Sequence, residues 1–126
     1  MKTFKKYYIL HTEPKNVYHA LTDKHMIEIW TGEDAEMEEK PGTEFSMWEG
    51  SICGMNLEFE KDKKIVQEWY FGDEGEPSIV TIKLHPDKKG TSMEVVQTNI
   101  PDEYYENISE GWTDDYVASL NQLFEE

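Results

Sequence analysis

The middle of the chain alternates apolar and polar residues with a period of two, while stretches near the start and at the end repeat apolar residues every three or four positions. The first pattern predicts strands with one buried face, the second amphipathic helices. In Cys53-Gly54-Met55-Asn56-Leu57-Glu58-Phe59-Glu60, alternation puts Cys53, Met55, Leu57 and Phe59 on one face and Gly54, Asn56, Glu58 and Glu60 on the other. Ile65, Gln67, Trp69 and Phe71 share a face of the next run, Val80, Ile82 and Leu84 of a third, and Thr91 to Thr98 forms a fourth. Lys61-Asp62-Lys63-Lys64, the acidic Gly72-Asp73-Glu74-Gly75-Glu76-Pro77 and Pro86-Asp87-Lys88-Lys89-Gly90 are turn signals between them, so the four runs predict an antiparallel meander.

Two further strands are expected at Phe4–His11 and Thr43–Met47, where Phe45 and Met47 share a face, and a short one within Gly32–Glu38. Pro14 opens a short helix with Val17, Ala20 and Leu21 on one side, and Asp23 caps a second containing Met26, Ile27 and Trp30. At the end, Ile108, Trp112, Tyr116, Leu120 and Phe124 recur every four residues, joined by Leu123, which predicts one helix from about Glu106 to Glu125. Gly111 stands beside Trp112 at a cost of about 1 kcal/mol relative to alanine. It is expected to let the helix backbone approach a strand or loop closely. Strands with helices segregated in sequence make an α+β domain spanning residues 1–126.

Composition narrows the functions available. Twenty-seven acidic residues against twelve basic ones give a formal net charge of −15, and all twelve are lysine. Such a surface repels nucleic acid and anionic membrane. Without arginine there is no bidentate fork for phosphates or carboxylates. No stretch approaches the roughly 20 apolar residues of a membrane span, and the first residues lack a signal-peptide core. Cys53 is the only cysteine, which excludes an intrachain disulfide and suits a reducing, cytoplasmic setting.

The order of these signals resembles a known family. Glu13-Pro14-Lys15-Asn16-Val17-Tyr18-His19-Ala20-Leu21-Thr22-Asp23, Trp30, Pro41-Gly42-Thr43-Glu44-Phe45, Gly50, Ile65-Val66-Gln67-Glu68-Trp69 and Gly111-Trp112 follow in order the pattern of the helix-grip superfamily, also called START-like or SRPBCC. Within it, the chain resembles the family of the activator of heat-shock protein 90 ATPase homologue, in particular that activator's C-terminal domain, a match strengthened by Ile100-Pro101 before the last helix. The resemblance implies a curved antiparallel sheet wrapped around a long C-terminal helix, with two short helices near the N-terminus. It also implies a cavity between sheet and helix, and a chaperone partner for the family. The chain begins at the first helix-grip strand, so full ATPase activation is not expected of it, and Pro41-Gly42 stands where relatives often carry Gly-Gly.

If sheet and helix oppose one another as the resemblance implies, the cavity is lined by Trp30, Phe45, Met47, Met55, Leu57, Gln67, Trp69, Ile82, Met93, Trp112, Tyr116 and Leu120. A small apolar ligand is the occupant these side chains suit, with Gln67, Trp112 and Tyr116 offering polar contacts. The alternative is a co-chaperone-like module that meets a chaperone through its acidic surface. No cofactor is expected. His11, His19, His25 and His85 lack metal-ligand spacing, so no metal is expected either. Cys53 has no flanking base and is expected to be a buried structural thiol. The acids at Glu33–Glu39 and Asp114-Asp115 are expected to be solvated. With no nucleophile, base and oxyanion donor in one constellation, a non-enzymatic domain is expected.

Overall fold

The computed structural model describes residues 1–70 and 77–125. Strand β1 (Lys2–Leu10) leads into two short helices, α1 (Pro14–Thr22) and α2 (Lys24–Thr31). Then come β2 (Glu44–Met47), β3 (Ile52–Glu60), β4 (Lys64–Trp69), β5 (Ser78–Asp87) and β6 (Gly90–Ile100). The C-terminus is helical: a 3-10 turn at Asp102–Tyr104, α3 (Tyr105–Gly111), a π-helical turn at Trp112–Val117 and α4 (Ala118–Leu123). The strands form one curved sheet in the order β1-β6-β5-β4-β3-β2, antiparallel throughout. This is the expected α+β helix-grip arrangement, with the meander running from β3 to β6 and β1 added beyond it.

The helices form where their end signals stand. Pro14 occupies the first turn of α1, and the Asp23 carboxylate accepts from the Met26 N–H at 3.1 Å to cap α2. Gly32 ends α2 with φ of 77°, its N–H bonded to the Glu28 carbonyl. The apolar faces then turn inward: Val17, Ala20, Leu21, Ile27 and Trp30 are buried. Phe45, Met47, Ile65, Trp69, Val80, Ile82, Met93 and Val95 from the sheet join Trp112, Tyr116, Val117 and Leu120 from the C-terminal helix in the same core. Removing each large side chain from water contributes about 1.5–3 kcal/mol, so this face holds helix and sheet together.

Three expectations need correction. In β3 the buried residues are Gly54 and Asn56, while Cys53 and Met55 are half-buried and Leu57 is exposed. Met55 lies opposite Glu44 and Glu68 on the outer face. The reason is a β-bulge: pairing with β4 slips between Asn56 and Glu58, so the face changes at Leu57 and simple alternation fails across it. Within Gly32–Glu38 there is a single bridge, Glu36 to Ser46, in place of a strand. The long helix is continuous but not regular, since the π-helical turn interrupts it at Trp112–Val117. Phe71 and the acidic loop at 72–76 lie outside the described residues.

Candidate functional site

The space between sheet and helix is filled by aromatic rings. Trp112, projecting from the helix, stacks on Trp69 of β4 with ring centroids 5.1 Å apart and planes within 16°. The Tyr116 ring lies 4.4 Å from Trp112 and 6.3 Å from Trp69. On its other side stand Trp30 at 5.2 Å and Trp48 at 6.0 Å, themselves packed edge to face at 5.6 Å. All four tryptophans of the chain therefore meet around Tyr116.

Two buried hydrogen-bond chains satisfy the indole N–H groups of the stack. Trp112 Nε1 donates to Gln97 Oε1 at 2.8 Å, Gln97 Nε2 to Ser78 Oγ at 3.0 Å, and Ser78 Oγ to the Thr98 carbonyl at 2.6 Å. Trp69 Nε1 donates to Gln67 Oε1 at 3.0 Å, and Gln67 Nε2 to Asn56 Oδ1 at 3.0 Å. Asn56 Nδ2 passes the chain on to Thr43 Oγ1 and the Glu38 carbonyl, each at 3.2 Å. A buried donor left unpaired costs about 1–3 kcal/mol, so these amides fix the two indoles in place.

Open space lies where the stack ends. A cleft of about 470 Å³ is lined by Glu33, Trp48, Glu49, Ser51, Ile52, Gly111, Asp115, Tyr116 and Ser119. A smaller one of about 180 Å³ lies against Cys53, Trp69, Tyr70, Asn107 and Ile108. Ser51, Ile52 and Gly111 line both, so the two form a groove between the β2–β3 connection and the C-terminal helix. At Gly111 an added Cβ would find only the Asp115 carboxylate, 3.9 Å away. The expected close backbone approach is absent: Gly111 keeps the groove open and does not seat a neighbouring strand.

The β2–β3 connection is bent to reach this groove. Trp48 and Glu49 have φ of 51° and 55°, and Gly50 follows at 88°. The left-handed conformation costs a non-glycine residue roughly 1–2 kcal/mol, and neither tryptophan nor glutamate has the short polar side chain that eases it. Hydrogen bonds from the Gly50 N–H to the Met47 carbonyl and from the Ser51 N–H to the Trp48 carbonyl hold the turn.

Of the twelve residues expected to line a cavity, Trp69 and Tyr116 border the groove. Trp30, Phe45, Met47, Gln67, Ile82, Met93, Trp112 and Leu120 are buried in the core, and Met55 and Leu57 lie off it. Sequence reasoning missed Gln97, Asn56 and Trp48. Gln97 was within reach, because it continues the buried alternation Thr91, Met93, Val95. The bulge hid Asn56, and the left-handed turn hid Trp48. Cys53 is half-buried, less enclosed than expected. Among the described residues, no group of three or more His, Cys, Asp or Glu side chains could hold a metal ion. Nor is any helix there long and apolar enough to cross a membrane.

Comparison with known proteins places this geometry. The family model described as "Activator of Hsp90 ATPase homolog 1-like protein" matches residues 11–125. The chain belongs to this family. It is 32% identical over 126 residues to an activator of 90 kDa heat shock protein ATPase homolog from Dictyostelium discoideum, covering 98% of this chain and 33% of that protein. It is 23% identical to the activator homolog 2 of Mus musculus, covering 90% of this chain and 35% of the relative. The chain thus spans about a third of the length of these curated relatives. Among solved structures, an HSP90 activator from Plasmodium falciparum superposes with a TM-score of 0.84 at 28% identity, covering 97% of this chain and 95% of that one.

Proposed function

We propose that this activator-family domain is a non-enzymatic interaction module that engages a heat-shock protein 90 chaperone in the cytoplasm through its acidic surface. The observation that carries the reading is the filled interior. Trp69 and Trp112 stack in the space a buried ligand would need, and both indoles are already hydrogen-bonded to the protein. A packed, preorganised core suits a surface that works by shape and charge. The net charge of −15 suits a basic patch on the partner, and relatives are named for their chaperone. Capture of the host's heat-shock protein 90 by the immobilised domain should be strong at low salt and fall steeply as salt rises. No association at low salt would refute the reading.

The 470 Å³ cleft favours a second reading, since small-molecule sites begin at about 300 Å³. On this account a small apolar ligand rests against Trp48, Ile52 and Tyr116, outside the filled core. Mass spectrometry of gently purified protein and a thermal-shift screen of apolar compounds decide it; neither a retained ligand nor a shift would leave it without support.

A further inference from the structure

The walls of the larger cleft combine aromatic rings with unneutralised acids. Trp48 and Tyr116 supply the rings, and Glu33, Glu49 and Asp115 supply carboxylates. No lysine pairs with any of the three acids among the described residues, although lysines pair with Glu28, Glu36, Glu58 and Glu94 elsewhere. The neighbouring Glu49 carboxylate raises the Glu33 pKa above its ordinary value. Two acids facing one another without a cation are a repulsion that an incoming positive charge would relieve.

An independent observation points the same way. Tyr116 is only 5% exposed, yet its hydroxyl has no hydrogen-bond partner among the described residues. The cleft is the opening that Tyr116 lines. Burial raises its pKa above the usual tyrosine range, so it stays a neutral phenol whose oxygen can accept. The strained turn that carries Trp48 and Glu49 brings both to this same opening.

We infer that the cleft is a receptor for an ammonium group on an aliphatic stem, supplied as a lysine side chain of the partner protein. The stem would pass along Ile52 and the Trp48 ring, and the ammonium would meet Glu49, Asp115 and the Tyr116 oxygen. Gly111 leaves room for the stem. The source of the cation rests on the interaction reading above; the chemistry of the cleft does not.

The test titrates the intact, isotope-labelled chain with n-butylammonium and, separately, with n-butanol, following the Trp48 indole and Gly111 amide resonances. Butylammonium should shift both and bind roughly tenfold more tightly than butanol. In a double variant Glu49→Gln, Asp115→Asn, changes at exposed positions that leave the core intact, that preference should vanish. Equal binding of the two probes, or no shift with either, overturns the cation site. A second arm measures chaperone capture by the same variant. A loss of about tenfold or more supports a partner lysine in the cleft. Undiminished capture overturns that lysine while leaving the interaction reading intact. Ammonium binding by a domain that captures no chaperone overturns the partner as source and leaves the cation site standing.

Discussion

Glycine in an ordered element costs stability unless something larger cannot fit, and Gly54 and Gly111 fall on opposite sides of that condition. An added Cβ at Gly54 would lie 1.7 Å from the Glu68 carbonyl oxygen, a backbone atom in the neighbouring strand that has nowhere to go. The same atom at Gly111 would make one ordinary contact. Gly54→Ala should therefore lower stability by about 3 kcal/mol through strand displacement. Gly111→Ala should raise it by up to about 1 kcal/mol through helix propensity alone. Chemical denaturation of both variants checks the pair; a destabilised Gly111→Ala would restore a packing role for that residue. The sequence singles out Gly111, because a glycine beside a tryptophan in a helix is conspicuous, whereas Gly54 occupies a position that alternation assigns to solvent. Close approach between strands leaves no mark on composition.

Elements were legible wherever their periodicity ran unbroken. Ile65, Gln67 and Trp69 of β4 face inward as alternation requires, as do Phe45 and Met47 of β2. Across β3 the bulge at Leu57 reverses the faces, and it depends on how β4 pairs, which no single strand's sequence records. Trp48, next after inward-facing Met47, would point outward in a continuing strand; the left-handed turn brings it back to the cleft. In the helix the clue was present. A strict four-residue repeat drifts by about 40° per step on an α-helix of 3.6 residues per turn. The π turn at Trp112–Val117, closing i to i+5, takes up that drift and keeps Trp112, Tyr116 and Leu120 on the sheet. Asp114 is exposed within this wide turn, so deleting it should tighten the turn to a regular α-helix with both flanking segments still seated. The variant is expected to fold, with a melting temperature within a few degrees of the parent and a contracted cleft beside Asp115. Loss of cooperative melting would mean that the extra residue is required by the core.

At the scale of the whole molecule, charge acts on folding and on association with opposite dependence on salt. Twelve lysines against twenty-seven acids leave most carboxylates without a cation, so the compact state gathers charges that the unfolded chain spreads apart. Salt screens that repulsion: the Debye length falls from about 30 Å at 0.01 M to about 8 Å at 0.15 M. Lysine pairs such as Lys64 with Glu58 at 3.1 Å lose strength under the same screening, but they are partly exposed and each contributes little. Repulsion is the larger effect, and adding sodium chloride over this range should raise the melting temperature by about 3–5 °C, roughly 1 kcal/mol at this chain length. Over the same range, association with a basic partner should weaken, because there the screened interaction is attractive. Following both quantities in one salt series separates the two effects. A melting temperature that stays flat while binding falls would localise the functional charge to a few groups such as those in the cleft. A melting temperature that falls with salt would instead show that local ion pairs outweigh the long-range repulsion between acids.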